Sequence, residues 1–281
     1  MPRFLTQQEV DQYYEQGWVL CKQVYSEADV ERTRAIIEQM RADGTWEKAP
    51  HYSDTLTTDI YNLVPELATI VFNENYIQAM KDLFGEQVTI LPEPGIHRNR
   101  YFSWHKDSSF LDALGEDYHW DEDFHATMTV MYLQANSKQY GGGISIVPKT
   151  QRDADFYHKV EQMNLAERAV LKAKKTLGVS HFNKMENHPD KVWIPSEKGD
   201  VIVIDLRLDH KGSDITDTKN RPYDKYGIMN IACKQPHHAD KLRLSLKERP
   251  SGYYSKYLKF ADELSPKVAE IAEKNGVRFI I

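Results

Sequence analysis

Two histidines and an aspartate in this 281-residue chain have the residue types and the spacing of a metal site. Residues i and i+2 of an extended segment point to the same side, so His105 and Asp107 present an imidazole and a carboxylate together. His210 ends the apolar run GDVIVIDLRLDH, and the long separation allows several strands to bring it opposite the first pair. Two imidazoles and one carboxylate on one face of an octahedron leave three positions open, which is typical of non-haem Fe(II) sites. The pattern therefore predicts a divalent metal centre.

A basic residue beyond the last histidine strengthens this prediction. A His-x-Asp pair alone often arises by chance, and such a pair on the surface is inert. Here Trp104 precedes the pair, and Arg221 follows His210 by 11 residues. A guanidinium binds a carboxylate through two parallel hydrogen bonds. Arg221 is therefore a candidate for binding a carboxylate group near the metal.

The elements that must position these residues form a β-rich centre between two helical parts. Thr6 with Glu9 and Ser26 with Asp29 are capping-box patterns, each of which predicts the start of a helix. From about residue 87 the sequence predicts short strands separated by Gly, Pro, Asn and Asp, at residues 88–91, 101–104, 127–135, 144–148, 200–208 and 226–234. This order predicts an α+β chain around a β-barrel or β-sandwich core.

Convergence of positions 105, 107 and 210 requires one domain, which we expect to span residues 1–281. Within it we predict four parts: a mainly helical N-terminal support (1–86), a β core (87–235), a lid-like insertion in that core (151–190), and a helical C-terminal tail (236–281) that contains an aromatic cluster at 253–260.

The composition excludes several classes of protein. Hydrophobic residues make up 41% of the chain and aromatic residues 11%, which excludes a disordered chain. The net charge of −6 argues against nucleic acid as a partner, because phosphate binding needs a basic surface. No run approaches the roughly 20 apolar residues that span a bilayer, so we expect no stable membrane insertion.

The cysteines and the amino terminus bear on the compartment. Cys21 and Cys233 are too few for a disulfide framework, and we expect reduced thiols. The N-terminal segment lacks the apolar stretch of a signal peptide, so the sequence favours a soluble, cytoplasmic protein. Nothing in the sequence indicates the oligomeric state.

The chain resembles the phytanoyl-CoA dioxygenase (PhyH-like) family of Fe(II)/2-oxoglutarate-dependent oxygenases over about residues 4–235. The opening FLTQQEVDQYYEQGWVLCKQVYSEADVERTRAII is similar to that family's leading helices and first strand. The other matching motifs are His105-x-Asp107, the segment GGGISIVP, Gly199-Asp200, and His210 with Arg221. The family's Pro-Gly-Ser-His is here Pro-Lys-Thr-Gln at 148–151. The resemblance implies a double-stranded β-helix (jelly-roll or cupin-like) core with flanking α-helices.

The resemblance also implies the cofactors. Fe(II) would be held by His105, Asp107 and His210, and 2-oxoglutarate and O₂ would be the cosubstrates. The distal carboxylate of 2-oxoglutarate would meet Arg221. Family members carry this cation at the start of the next strand, and PYDK separates Arg221 from YGIMNIACK, so Lys225 is a rival.

Two polar residues are further candidates for the cosubstrate pocket. The Thr129 hydroxyl lies on the predicted strand after His-x-Asp, although β-propensity explains a threonine there equally well. Asn99 lies just upstream of His105, and the same two explanations apply.

The favoured function is hydroxylation of a small molecule (a metabolite, sugar or lipid-derived acid) with release of succinate and CO₂. The intact Asp107 argues against an iron halogenase of this superfamily, in which a small residue replaces the carboxylate. A cupin-type hydrolase or isomerase using Zn or Mn on the same three ligands is the alternative, and Arg221 argues against it. A binding protein that lost its activity is a third reading, disfavoured because all three ligands are present.

Overall fold

The computed structural model describes residues 3–49, 51–52, 54–56, 59–213, 223–249 and 263–280. In those residues the α-helices are α1 (Gln7–Gln16), α2 (Glu27–Ala42), α3 (Thr45–Lys48), α4 (Ile60–Leu63), α5 (Ala68–Val71), α6 (Glu74–Phe84), α7 (Ser109–Leu114), α8 (Tyr157–Gln162), α9 (Leu165–Thr176), α10 (His181–Glu186), α11 (Pro236–Glu248) and α12 (Pro266–Lys274). The strands are β1 (Trp18–Cys21), β2 (His51–Tyr52), β3 (Thr55–Leu56), β4 (Thr89–Arg98), β5 (Ala126–Tyr132), β6 (Ile144–Ile146), β7 (Val192–Ile194), β8 (Val201–Asp205), β9 (His210–Gly212), β10 (Tyr226–Cys233) and β11 (Arg278–Phe279).

Both predicted capping boxes start the helices that flank the sheet. The Thr6 side chain accepts from the N–H of Glu9, and the Glu9 carboxylate accepts from the N–H of Thr6, at the start of α1. Ser26 and Asp29 repeat this reciprocal pair at the start of α2. Each pair satisfies two backbone donors that a helix end leaves without a partner.

The larger sheet has eight strands in the order β1-β8-β5-β10-β4-β3-β2, with β11 pairing to β4. All neighbours are antiparallel except β11 and β4. The smaller sheet has three antiparallel strands in the order β7-β6-β9. From β5 onward the chain passes repeatedly between the two sheets, as a double-stranded β-helix requires. The predicted fold class is therefore confirmed.

Alternate residues of the large sheet face two different hydrophobic cores. On β8, Val201 and Val203 pack against the N-terminal helices, together with residues of α1, α2 and α6. Ile202 and Ile204 point to the opposite side, where they meet Ile144 and other residues of the small sheet. The strands are thus buried on both faces, which explains why β8 reads as a continuous apolar run.

Two expectations differ from the observed elements. Residues 101–104 form no strand, although His105 just after them makes an isolated bridge to His210. The C-terminal part contributes β11 as well as helices, and the aromatic cluster at 253–260 lies outside the described residues. The insertion at 151–190 holds α8, α9 and α10. None of the helices described here is both long and apolar enough to cross a membrane.

Candidate metal and cosubstrate site

His105 and His210 lie directly opposite each other on paired backbone. The N–H of His105 donates to the His210 carbonyl (2.9 Å), and the N–H of His210 donates to the His105 carbonyl (3.0 Å). Such an exchange places the two side chains on the same face of an antiparallel pair. Their ring centroids are 4.1 Å apart. Residues 105 positions apart in the chain are thereby brought together by two main-chain hydrogen bonds.

Each imidazole is oriented by a carbonyl two residues before it. The His105 Nδ1 lies 2.7 Å from the Ser103 carbonyl oxygen, and the His210 Nδ1 lies 2.9 Å from that of Leu208. A carbonyl oxygen only accepts, so Nδ1 carries the proton in both rings and Nε2 keeps its lone pair. This arrangement fixes the tautomer that binds a metal through Nε2.

Asp107 completes the cluster between the two Nε2 atoms. Its Oδ1 is 3.4 Å from Nε2 of His105, and its Oδ2 is 3.5 Å from Nε2 of His210. The Asp107 Oδ2 is buried and has no hydrogen-bond partner, a costly state for a carboxylate oxygen. The three ligand atoms lie within 4.8 Å of one another, and an ion between them would give the Asp107 oxygen a partner. The residues fit a divalent metal.

The charges within this cluster shift its titration. Burial opposes ionisation of Asp107, but the facing imidazoles of His210 and His105 outweigh it and lower the pKa of the carboxyl group. Burial, followed by the charge of His105, lowers the pKa of His210 to about 4. Burial also acts to lower the pKa of His105, but the Asp107 hydrogen bond and charge raise it overall. At neutral pH the cluster therefore offers an ionised carboxylate and a neutral His210.

A cavity of about 430 Å³ adjoins the three side chains. Its apolar walls come from α7, α11 and the inward-facing residues of both sheets: Phe110, Met128, Val130, Tyr132, Ile144, Ile204, Met229, Ile231 and Leu246. This volume lies within the range of small-molecule sites, and the lining has the usual apolar character with few polar groups.

Two arginines at this cavity were not predicted from the sequence. The guanidinium of Arg100 lies 5.3 Å from the Phe102 ring centroid, and that of Arg249 lies 5.1 Å from the centroid of Phe110. Asp107 is the only carboxylate among the described lining residues. The described lining thus brings the cationic side chains of Arg100, Lys106 and Arg249 together with one carboxylate. No sequence signal marked Arg249, because it comes from the end of α11, far from the His and Asp motifs in the chain.

Lys225 lies buried at the start of β10, in a smaller pocket that shares Arg100, Tyr132 and Met229 with the main cavity. Its ammonium donates to the Gly141 carbonyl. Its odd-numbered position places it on the same strand face as Met229 and Ile231, which line the cavity.

The glycine-rich segment passes close to this lysine. Gly142 has a φ of +88°, and a Cβ atom there would lie 2.9 Å from the Lys225 Nζ. A side chain at Gly142 would therefore be strained and would crowd the ammonium.

Asn99 holds the backbone next to Lys225. Its side-chain oxygen accepts from the Lys225 N–H (2.8 Å), and its own N–H donates to the Lys225 carbonyl (2.8 Å). Its side-chain amide also donates to Asp224 Oδ1 (2.8 Å). The φ of +53° is one that asparagine tolerates better than most residues. Asn99 thus lines the smaller pocket and not the cavity beside the three ligands, and its contacts position Lys225.

Thr129 lies on the face of β5 that points away from the cavity. Met128, Val130 and Tyr132 of that strand line the cavity, whereas Thr129 is buried against α6. Its hydroxyl lies 2.9 Å from the Tyr76 hydroxyl and donates to the Asn230 carbonyl. In this structure strand alternation therefore directs the Thr129 side chain towards α6 and away from the cavity, and its contact with the cosubstrate stays a prediction. Arg221 lies outside the described residues.

A buried ion pair links the two chain segments that carry His105 and His210. The Lys106 ammonium donates to the Thr150 and Asp153 carbonyls and lies 3.4 Å from Asp209 Oδ2. The Tyr157 hydroxyl donates to the other Asp209 oxygen (2.7 Å). Lys106 and Asp209 each neighbour a histidine of the cluster in sequence, so this pair ties the two segments together.

The helices of the insertion at 151–190 join that support. Tyr157, Phe182 and Met185 pack with Trp104 and Val147 in a hydrophobic cluster. The cavity is lined by residues outside the insertion. The insertion therefore braces the His-x-Asp segment and the small sheet, and its action as a lid stays a prediction.

A jelly-roll of two alternating sheets with a His-Asp-His cluster and an adjoining cavity defines the class of metal-dependent enzymes built on a double-stranded β-helix. The sequence profile of the phytanoyl-CoA dioxygenase (PhyH) family matches residues 1–222. The chain belongs to this family. It is an Fe(II)/2-oxoglutarate-dependent oxygenase whose cofactor is Fe(II) and whose cosubstrates are 2-oxoglutarate and O₂, as the sequence predicted.

Solved structures share the fold at low sequence identity. HygX from Streptomyces hygroscopicus, with nickel and 2-oxoglutarate bound, has a TM-score of 0.58 and 15% identity over 82% of this chain and 87% of its own. Apo EctD from S. alaskensis has a TM-score of 0.54 and 14% identity over 82% and 78%. SnoK, a non-haem α-ketoglutarate-dependent carbocyclase from nogalamycin biosynthesis, has a TM-score of 0.51 and 18% identity over 81% and 84%. No curated protein matches the chain in sequence.

Proposed function

We propose that this protein hydroxylates a small, partly apolar acid, with His105, Asp107 and His210 as the ligands of its Fe(II). The observation that carries the proposal is the convergence of two oriented Nε2 atoms and a carboxylate with an unsatisfied buried oxygen. When bound, Fe(II) supplies the redox chemistry by which O₂ oxidises 2-oxoglutarate to succinate and CO₂ and transfers its other oxygen atom to the substrate as a hydroxyl group.

Hydrogen bonds within the chain orient the two histidines that we propose as metal ligands. The carbonyls of Ser103 and Leu208 keep the Nδ1 protons of both rings, so neither imidazole can turn its Nε2 away. The three side chains also line the cavity, so an ion held by them would be accessible from it. Three open positions suit a bidentate cosubstrate and O₂.

We assign the distal carboxylate of 2-oxoglutarate to Lys225. The lysine is buried, shares a strand face with the cavity lining, and lies in a pocket that adjoins the main cavity at Arg100, Tyr132 and Met229. A buried ammonium and a carboxylate form a charge-assisted hydrogen bond. Arg221, which the sequence favoured, is the rival, and the two are separated by substitution below.

The position of Arg249 is the reason for proposing an acidic substrate. Along β10, Lys225 precedes Ile231 by six residues, or about 20 Å of extended strand. Arg249 and Leu246 come from α11, which packs with Phe110 in the core beside Ile231, at the end of the cavity away from Lys225. A guanidinium there is placed to bind an anionic group of the substrate, while the cosubstrate occupies the other end. The apolar walls between the two ends would hold its carbon skeleton and exclude water.

The test is anaerobic reconstitution with Fe(II) and 2-oxoglutarate. We expect a weak visible charge-transfer band, and we expect succinate to form on exposure to O₂ even without substrate. His210→Ala removes both signals, whereas His188→Ala, at a histidine outside the cavity, keeps both. Tight Zn binding with neither band nor succinate in the wild type contradicts the proposal and favours the hydrolase or isomerase.

The cosubstrate assignment is tested by the 2-oxoglutarate dependence of succinate formation. Lys225→Met loses a charge-assisted hydrogen bond worth about 1.5–3 kcal/mol, so we expect a roughly 10- to 100-fold rise in the KM for 2-oxoglutarate. Arg221→Met serves as the matched variant. A rise in Arg221→Met with an unchanged KM in Lys225→Met reverses the assignment.

The substrate class is tested with probes of matched shape. The anaerobic Fe(II)–2-oxoglutarate protein is titrated with 4-phenylbutyrate and with 4-phenylbutan-1-ol, and the shift of the absorption band reports binding. We expect the carboxylate to bind more tightly than the alcohol, and Arg249→Met to abolish that preference without changing 2-oxoglutarate affinity. Equal binding of both probes by the wild type contradicts the acidic substrate while leaving the iron site intact.

A further inference from the structure

A second cluster of imidazole and carboxylate groups lies where β10 leads into α11. His237 and His238 occupy the first turn of α11, and Asp121 and Asp123 lie in the loop before β5. The β5–β10 pairing brings these segments together: Cys233 is opposite Ala126, and the Lys234 N–H donates to the His125 carbonyl (2.9 Å). The cluster shares no residue with the His105 site.

His238 is the observation that sets this cluster apart from an ordinary charged surface. Its exposed fraction is 0%, and neither of its ring nitrogens has a hydrogen-bond partner. The ring is fixed by Tyr118, stacked at 6.1 Å, and by Phe124 at 5.1 Å. Burying an imidazole without a partner costs about 1–3 kcal/mol, so a ligand for the outward nitrogen would be stabilising.

The distances fit an ion between the groups. The His238 Nε2 lies 3.8 Å from Asp121 Oδ2 and 4.0 Å from Asp123 Oδ1, too far for a hydrogen bond. Ligand atoms of a tetrahedral ion held at about 2.1 Å lie about 3.4 Å apart, so both separations are slightly wider than that spacing. One ligand atom each from Asp123, His237 and His238 lies within 4.8 Å of the others. His237 and Asp123 are exposed, so their side chains can move the roughly one ångström that bound ligands need.

The charges favour a cation here. The carboxylates of Asp121 and Asp123 face the buried ring of His238. Nitrogen and carboxylate ligands in this combination suit borderline divalent ions such as Zn²⁺.

We propose that His237, His238 and Asp123 form a second, structural metal site for a Zn²⁺-like ion, with Asp121 as the fourth ligand. The ion clamps the first turn of α11 to the loop before β5. The other end of α11 carries Leu246, and Arg249 follows it, so the site fixes the helix that walls the cavity. This site does not depend on the proposed hydroxylase function.

The test is titration calorimetry with Zn²⁺ on the full chain carrying His105→Ala and His210→Ala, which removes the first site. We expect one Zn²⁺ per chain. Adding His237→Ala, a substitution at an exposed position, weakens binding at least 10-fold, and Asp123→Asn does the same. Adding His188→Ala, the control, changes nothing.

Two results overturn the proposal: no Zn²⁺ bound by the doubly substituted chain, or the same affinity after His237→Ala and Asp123→Asn. If the doubly substituted chain does not fold, the wild type gives the answer by stoichiometry. It is then expected to bind two Zn²⁺ per chain and His237→Ala one, and a single ion in both overturns the proposal.

Discussion

The two clusters of imidazole and carboxylate are held in different ways. His105 and His210 are paired through their backbone, and each ring is locked by a carbonyl two residues earlier. In the second cluster His238 is fixed by packing against aromatic rings alone, and its partners His237 and Asp123 are exposed. The side chains of the first cluster are therefore already oriented for the metal that we propose, whereas those of the second would have to move to surround one.

This difference separates catalytic from structural metal binding. A catalytic ligand set must keep its open positions and orientation throughout a reaction, which requires rigid support from neighbouring groups. A structural ion is surrounded by protein ligands, and side chains that can move are able to complete its coordination. The first cluster adjoins a cavity, and the second joins a helix to a loop.

The largest effect is expected from removing the ion pair behind the first cluster. Lys106→Met leaves the buried Asp209 carboxylate without its cation, which costs about 3–5 kcal/mol in the free energy of unfolding. Urea denaturation measures this cost. The control is Lys198→Met, since Lys198 pairs with exposed Glu27 and Glu31 and should lose about 1 kcal/mol or less. Equal losses in the two variants would show that the first cluster is not rigidly supported.

Removing the side chain that positions Lys225 should have a smaller and more selective effect. Asn99→Gly keeps the left-handed backbone but loses the side-chain bonds to Lys225 and Asp224, worth about 1–2 kcal/mol together. We expect the Kd for 2-oxoglutarate to rise about 5- to 30-fold while Fe(II) affinity stays constant. An equal loss of both affinities would mean that Asn99 supports the whole site.

Acidification should weaken an interaction that links the His105 segment to the His210 segment. Glu186 accepts from the Trp104 indole and forms ion pairs with Lys211 and Lys191. Trp104 directly precedes His105, and Lys211 directly follows His210. Burial opposes ionisation, but the hydrogen bonds from Lys191 and Lys211 lower the pKa of Glu186 to about 2. Its stabilisation is therefore complete above the unfolded value of about 4.3 and is lost as pH falls towards 2.

Comparison with Glu186→Gln reveals this contribution. The urea midpoint of the wild type should exceed that of the variant at about pH 6, and the difference should shrink by about pH 3. A gap that does not change with pH would contradict the role given to the carboxylate charge.

The smallest effect on activity is expected at Thr129. Thr129→Val removes the hydroxyl bonded to Tyr76 and leaves the cavity lining unchanged, so the KM for 2-oxoglutarate should stay within a factor of two. Stability should fall by about 1 kcal/mol because the buried Tyr76 hydroxyl loses its partner. A large rise in that KM would restore the cosubstrate role that the sequence suggested.

Local patterns made much of the fold predictable. The capping boxes at Thr6 and Ser26 satisfy backbone donors within three residues, so they are visible in the sequence. The apolar run of β8 reflects burial on both faces. The His-x-Asp spacing predicted that the two side chains lie on the same side of the chain, although Asp107 lies in a turn and not in a strand, and the family resemblance added the fold.

What escaped prediction depends on tertiary contacts. The side of β5 on which Thr129 lies is set by register with β8 and β10, which the sequence does not state. Arg249 reaches the cavity because α11 packs across the barrel, and His238 is buried by Tyr118 and Phe124 from a distant loop. The insertion at 151–190 is polar enough to suggest a lid, but its few aromatic residues anchor it to Trp104.

The most direct test of the first cluster's role is a crystal structure of the protein grown anaerobically with Fe(II) and 2-oxoglutarate. Anomalous scattering at the iron edge locates the ion independently of any assumption about its ligands. We predict iron about 2.0–2.2 Å from Nε2 of His105, Nε2 of His210 and an oxygen of Asp107. Iron bound at His237, His238 and Asp123 with the first cluster empty would contradict the account.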